Sequence, residues 1–282
     1  MRNLLLLLIT CSTSIFAFSK VITVNNAANG PGQYTTVLQA LDSAVAGDTV
    51  YIHGSTLSYG NFVVNKRVTI FGTGYKPNKV NKLTSQVGTI IFDTLLNVSG
   101  GSGTKISGLV LDAVNGYNGT SGTSNVTISR NYFNASGTKI NITGSGWIIE
   151  NNILEPASIN VNNNSNITLR NNIFSKSSII NSNQPTVLIS NNVFLGNIPQ
   201  KSFSNVSNTL IANNIFKGIT PRDNGIDNNI FSNNITYQTA LDTIPFGSNT
   251  GSGNIVAKNP DFVNVPSNVY NCLLYTSDAA DE

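Results

Sequence analysis

The sequence is poor in cysteine, histidine and charged residues. Among its 282 residues it has two cysteines, one histidine and 10% charged side chains. Cys11 and Cys272 lie near the two ends, so the long stretch between them can form neither a disulfide nor a thiolate metal site. The single histidine, His53, cannot hold a metal ion alone, and we interpret it as a turn residue. Stability must come from apolar burial and backbone pairing, and we expect no metal and no cofactor.

The charges that are present are nearly balanced and are spread along the chain. The 16 basic and 13 acidic residues give a formal net charge of +3 at pH 7. No basic cluster marks a nucleic-acid surface, so we expect no nucleic-acid partner. The small positive excess indicates at most a weak attraction to acidic polymers.

Long apolar runs are absent beyond the first residues. A positively charged start precedes the apolar run Leu4–Ile9, and small residues around Ala17 follow, which is the pattern of a secretory signal peptide. The run is too short to span a bilayer, so we expect no transmembrane segment and a secreted or cell-surface location. A lipid anchor on Cys11 is disfavoured because the residues before it lack the expected small side chain. We expect residues 1–19 to be removed before Lys20.

The strongest pattern is a repeat that reads apolar-x-apolar-x-Asn-Asn-apolar-Phe. Its second Asn recurs at intervals of 20 to 22 residues. The repeats are Val126–Phe133, Trp147–Leu154, Ile167–Phe174, Val187–Phe194 and Thr209–Phe216. Alternating apolar and polar residues predict a short strand with one buried face, which the Asn pair ends with a turn. A unit this short cannot bury its own apolar face, so successive units must stack as parallel strands.

Stacking places equivalent residues in columns along the solenoid axis. The first inward column is predicted to hold Ile128, Ile149, Leu169, Ile189 and Ile211. The second is predicted to hold Phe133, Leu154, Phe174, Phe194 and Phe216. The second asparagines should bond from coil to coil as a buried ladder, because an amide both donates and accepts. The candidate ladder is Asn131, Asn152, Asn172, Asn192 and Asn214, and the next second asparagine of the repeat falls at Asn234. The alternative, in which these amides bind sugar, is disfavoured because the stack itself requires them.

These repeats resemble the right-handed parallel β-helix proteins of the pectin-lyase-like superfamily over about residues 21–271, and bacterial secreted members of non-catalytic or uncharacterised type in particular. Gly32–Ile52 resembles the family's entry segment, and Asn254–Val263 resembles the exit from its solenoid. The entry has an apolar stripe at helical spacing, which predicts a lid over the N-terminal end of the core. The stripe consists of Val37, Leu38, Leu41, Ala44 and Val45. The resemblance implies an all-β fold, a right-handed parallel β-helix solenoid with an N-terminal capping helix.

The last eleven residues depart from every preceding pattern. Residues 272–282 resemble the translation of a transposon-end sequencing adapter, so we expect authentic sequence to end near Asn271, inside a C-terminally truncated solenoid. The predicted organisation is a signal peptide at 1–19, an N-terminal strand and capping helix at 20–48, the parallel β-helix at 49–271 and an adapter artefact at 272–282.

Candidate catalytic residues are few. Polysaccharide hydrolases of this fold use paired carboxylates on neighbouring coils, whereas the acidic residues here are isolated in the sequence. Calcium-dependent lyases need several carboxylates around the ion and a basic residue near the uronate. The nearest arrangement is Glu150 with Arg170, one coil apart, with Glu155 and Arg130 nearby. We interpret Glu150 and Arg170 as an exposed ion pair, so the catalytic residues stay unknown.

Two functions of different classes remain. The favoured one is a secreted or surface β-helix with no visible catalytic site, which binds glycan or serves as structure. The alternative is a calcium-dependent polysaccharide lyase that acts on an acidic polysaccharide. Trp147 and Tyr132 could stack on sugar rings, although burial in the core explains Trp147 equally well. We expect an extracellular polysaccharide as the partner of a monomeric chain.

Overall fold

The computed structural model describes residues 19–74, 83–92, 100–116, 122–162, 164–197, 199–239 and 243–262. The predicted signal peptide, apart from its last residue, and the adapter-like segment lie outside the described residues. One short helix, α1 (Val37–Ser43), accompanies the strands. The strands are β1 (Val21–Val24), β2 (Thr49–Ile52), β3 (Phe62–Val64), β4 (Thr69–Gly72), β5 (Gln86–Phe92), β6 (Lys105–Ser107), β7 (Val110–Asn115), β8 (Thr127–Ser129), β9 (Tyr132–Phe133), β10 (Thr138–Asn141), β11 (Ile148–Glu150), β12 (Ile153–Leu154), β13 (Ser158–Asn160), β14 (Thr168–Arg170), β15 (Ile173–Ser175), β16 (Ile179–Asn183), β17 (Leu188–Ser190), β18 (Val193–Leu195), β19 (Phe203–Ser207), β20 (Leu210–Ala212), β21 (Ile215–Lys217), β22 (Ile230–Ser232) and β23 (Ile235–Tyr237).

The strands wind into a parallel β-solenoid, which confirms the predicted fold class. Face one is a sheet of ten strands in the order β1-β2-β4-β6-β8-β11-β14-β17-β20-β22. Face two contains β9, β12, β15, β18, β21 and β23, and face three contains β10, β13, β16 and β19. The two halves of β7 join them, since Val110 pairs with β9 and Val114 with β10. A complete coil contributes one strand to each of the three faces, so the solenoid is three-sided.

The core is a set of stacked columns in the predicted register. Ile128 pairs with Ile149, which pairs with Leu169, and Phe174 pairs with Phe194. All ten predicted column residues have no exposed surface. The rings of Phe174 and Phe194 stack with centroids 4.6 Å apart, and Phe194 stacks on Phe216 at 4.9 Å. The hydrophobic core is therefore continuous along the solenoid axis, and its neighbouring residues are about 20 positions apart in the sequence.

The predicted asparagine ladder runs along the corner between faces one and two. In each step the side-chain Oδ1 of one asparagine accepts from both the backbone N–H and the Nδ2 of the asparagine one coil earlier. Asn192 Oδ1, for example, lies 2.9 Å from Asn172 N and 3.1 Å from Asn172 Nδ2. The other Nδ2 proton of Asn172 goes to Ile149 O at 2.8 Å. The ladder runs without interruption from Asn131 through Asn254, two coils beyond Asn214, the last residue of the predicted ladder.

The segment read as the exit from the solenoid still belongs to it. Asn254 continues the ladder, and Ile255 forms a parallel bridge with Ile235. The amide of Lys258 donates to Thr236 O at 3.0 Å. The coil geometry therefore persists through the first residues of that segment, because its asparagine and isoleucine fall at the same positions as in the preceding repeats.

Helix α1 covers the N-terminal end of the core, as the apolar stripe predicts, but with fewer residues. Val37, Leu41 and Ala44 are buried, whereas Leu38 is 57% and Val45 60% exposed. The helix starts at the N-cap Thr36 and ends at Ser43, so its single buried face is too narrow to include Leu38. The sequence assignment of Leu38 to the lid is wrong because Leu38 lies on the exposed side of the helix, and that of Val45 is wrong because Val45 lies beyond the C-cap Ala44.

Candidate functional site

The Glu150 and Arg170 side chains form the expected ion pair on the outside of face one. They occupy paired positions of β11 and β14, and Arg170 Nε lies 2.7 Å from Glu150 Oε2. The side chains are 21% and 47% exposed, so the pair is a partly solvated contact of small net stability. Arg130 is exposed at a turn, and Glu155 accepts from the Tyr132 hydroxyl at 3.3 Å. The two carboxylates therefore engage different partners, Arg170 on face one and Tyr132 on face two.

Trp147 belongs to the core. It has no exposed surface, lies edge-on to Phe92 with centroids 6.0 Å apart, and donates from Nε1 to Thr123 O at 2.6 Å. A buried indole with its N–H satisfied cannot present a face to a sugar. Tyr132 is half-buried on the outside of face two and is held by Glu155.

His53 lies just after β2, at the predicted turn. Its ring is edge-on to Tyr51 with centroids 4.8 Å apart, and its Nε2 is buried with no hydrogen-bond partner in the described part of the chain. The Tyr59 hydroxyl donates to His53 O at 2.9 Å and fixes the turn. Desolvation raises the pKa of Tyr59, partly offset by its hydrogen bond with the Asn26 backbone. No metal-ligand cluster of three or more His, Cys, Asp or Glu occurs in the described residues around His53 or elsewhere.

A concave site lies elsewhere, on the side of the solenoid where the chain returns from face two to face one. Lys201 comes just before β19, the segment 222–227 lies between β21 and β22, and Phe246 follows β23. The site is a groove of about 520 Å³, within the range of ligand pockets in proteins. Its lining comes from three successive coils: Lys201, Arg222, Asp223, Asn224, Gly225, Ile226, Asp227, Phe246 and Gly247. The bridge between Lys201 and Thr220 brings the first two coils into register. We call this site the charged groove.

Both carboxylates of the charged groove accept hydrogen bonds from neighbouring residues of the chain. Asp223 accepts from Lys201 Nζ and, at 2.7 Å, from the amide of Asn224. Desolvation would raise the pKa of Asp223, but these two hydrogen bonds and the Lys201 charge outweigh it, so the pKa lies below its ordinary value. Asp227 accepts from the Ser248 hydroxyl at 3.3 Å and is exposed.

The guanidinium of Arg222 is the one cationic group of the charged groove without an acidic partner among the described residues. Its carbon lies 4.9 Å from the ring centroid of Phe246, a cation–π contact. Phe246 in turn contacts the buried Phe231, with ring centroids 5.8 Å apart. The arginine side chain is therefore held against the core while its N–H donors are left for a ligand.

The sequence alone could not reveal this groove. Lys201 and Asp223 are 22 residues apart, and Arg222 and Phe246 are 24 apart, in turns that do not repeat. The acidic residues looked isolated because only the stacking of coils brings Asp223 and Asp227 to one site. The signal that could have found the groove is the separation of 22 residues, about one coil, between Lys201 and Asp223.

No helix in the described ranges is both long and apolar enough to cross a bilayer.

No family model matches the sequence, and no curated protein matches it. Among solved structures, the pectin methylesterase of Aspergillus niger in deglycosylated form aligns with 83% of this chain and 86% of its own, at 12% identity and a TM-score of 0.37. The same enzyme in penultimately deglycosylated form aligns with the same shares of both chains, at 13% identity and a TM-score of 0.36.

Proposed function

We propose that this chain is an extracellular polysaccharide-binding β-solenoid that holds carboxylate-bearing sugars in the charged groove. The observation that carries the proposal is the Arg222 guanidinium, stacked on Phe246 and without an acidic partner in the described residues. A planar guanidinium fixed on a ring is preorganised to bind a carboxylate with two parallel hydrogen bonds.

The rest of the groove suits the hydroxyl groups of a sugar. Asp227 is exposed and makes one long hydrogen bond, so its carboxylate can accept from ligand hydroxyls. The exposed Asn224 side chain supplies both donors and acceptors. Lys201 is neutralised by Asp223, so Arg222 is the cation of the groove that is left to bind a sugar carboxylate, and the exposed Asp227 brings the formal charge of the groove to zero.

Export is part of the same proposal. Residues 1–19 would act as the signal peptide, and the mature chain would begin at Lys20 and meet its polysaccharide outside the cell. The absence of cysteine between Cys11 and Cys272 fits a fold that needs no disulfide for stability.

The test is calorimetric titration of the purified chain with trigalacturonate at low ionic strength. We predict saturable binding that weakens as salt rises, because the contact is between charges. Arg222→Ala should weaken binding at least about tenfold, the equivalent of about 1.4 kcal/mol. Arg130→Ala removes an exposed arginine far from the groove and is the matched control, which should bind as the wild type does.

The same samples distinguish binding from cleavage. Ultraviolet absorbance of unsaturated uronate ends, followed with and without calcium, reports lyase activity. Steady, calcium-dependent product would contradict the binding function and favour the lyase alternative. If the wild type and Arg222→Ala bind trigalacturonate equally well, the charged groove is not the binding site.

A further inference from the structure

A second site is formed by side chains on the outside of face one. The outward positions of five successive strands carry Tyr51, Phe71, Ser107, Ser129 and Glu150 in register. Two aromatic residues are followed by two small hydroxyl residues and then by the Glu150–Arg170 ion pair. We call the space over the two serines, between Phe71 and Glu150, the serine slot.

The Phe71 ring is partly exposed at one end of the slot. Its ring stacks on Tyr51 with centroids 5.9 Å apart and an interplanar angle of 30°. Since the two rings stack along the column, Tyr51 covers the face turned toward β2, and the other face is turned toward Ser107. Phe71 is 44% exposed, which is a large fraction for an aromatic ring on a sheet.

The slot has room for a ring and polar groups to orient it. Three strand spacings separate Phe71 from Glu150, about 14 Å, and only serines lie between them. The hydroxyls of Ser107 and Ser129 are half-exposed and make no side-chain hydrogen bond within the described residues. At the far end, Glu150 adds carboxylate oxygens while Arg170 neutralises its charge.

From this arrangement we infer that the serine slot binds a pyranose ring of a neutral glycan. One sugar stacks its apolar face on Phe71 and contacts the Ser107 hydroxyl, and the next sugar along the axis contacts Ser129 and Glu150. The lining of the slot carries no net charge, because Arg170 neutralises Glu150, and this suits an uncharged sugar. The exposed Lys105, two residues before Ser107 on the same face of β6, lies beside the slot and can donate to a sugar hydroxyl. This site is independent of the groove and takes a different class of ligand.

The experiment is saturation-transfer NMR and calorimetric titration of the full chain with cellopentaose, mannopentaose and maltopentaose. At least one of the three should bind with millimolar or better affinity. Phe71→Ala removes the stacking face, and Ser107→Phe fills the slot, so each should weaken binding at least about tenfold. Ser232→Phe makes the same change at the equivalent outward position of β22 and should leave binding unchanged.

Thermal unfolding of each variant checks that the solenoid is intact. Arg222→Ala should retain the neutral ligand, which separates this site from the charged groove. Failure of all three pentasaccharides to bind the wild type at millimolar concentration would overturn the inference, as would undiminished binding by Ser107→Phe. If the wild type binds a neutral pentasaccharide but not trigalacturonate, only the charged groove is refuted.

Discussion

At the scale of single residues, the two asparagines of each pair perform different tasks. The first adopts a left-handed backbone, with φ of 55° at Asn171 and 57° at Asn213, and turns the chain between faces one and two. Asparagine tolerates this conformation better than most residues, and Gly108 takes the position in an earlier coil. The second, such as Asn172, is buried and joins the ladder. The motif predicts the ladder correctly, but the separate role of the first asparagine emerges only from the backbone angles.

Asn172→Asp tests the ladder. A carboxylate cannot donate, so the bonds to Ile149 O and Asn192 Oδ1 are lost and a charge is buried against an amide oxygen. We expect the free energy of unfolding to fall by about 3 to 5 kcal/mol. Asn228→Asp, at an exposed asparagine of the same backbone conformation, should change it by less than about 0.5 kcal/mol. Urea unfolding measures both, and equal losses would contradict the ladder.

Arg130 breaks the rule that the first position of the pair is asparagine or glycine. It has a left-handed backbone, with φ of 56°, and an exposed side chain. Arg130→Asn should relieve part of the backbone strain and raise the free energy of unfolding by about 0.5 to 1 kcal/mol. The same urea assay measures this change. A lower free energy of unfolding in Arg130→Asn would contradict the prediction and show that the Arg130 side chain makes a stabilising contact.

At the scale of the elements, each strand is too short to be stable alone and depends on the coils before and after it. The column of Phe174, Phe194 and Phe216 shows this dependence, because Phe194 stacks on both neighbours and lies edge-on to Phe203. The positions of the strands could be predicted because buried residues recur once in every coil. The bounds of α1 were harder to predict, since the described part of the chain has no second copy of this helix with which its apolar positions could be compared.

Phe194→Ala should open a cavity shared by three coils. We expect a loss of about 3 to 5 kcal/mol in the free energy of unfolding, measured by thermal or urea denaturation. Phe71→Ala removes the same side chain from an exposed outward position and should cost less than about 1 kcal/mol. Similar losses at the two sites would mean that the column is not the main source of stability.

At the scale of the whole molecule, the periodic sequence predicts the solenoid, and the aperiodic turns decide what it binds. The columns and the ladder follow from residues that recur every coil. The charged groove depends on Arg222 and Phe246, which recur nowhere, and on contacts that only stacking creates. Sequence reasoning therefore located the scaffold and considered Glu150, Arg170 and Trp147 as site candidates, whereas the groove became visible only in three dimensions.

The most direct test of the polysaccharide-binding function is a crystal structure of the chain with trigalacturonate. We predict a sugar carboxylate within about 3.2 Å of the Arg222 guanidinium nitrogens, with the Lys201–Asp223 and Glu150–Arg170 pairs intact. A sugar carboxylate bound to Arg170 in place of Glu150, with the charged groove empty, would contradict this account.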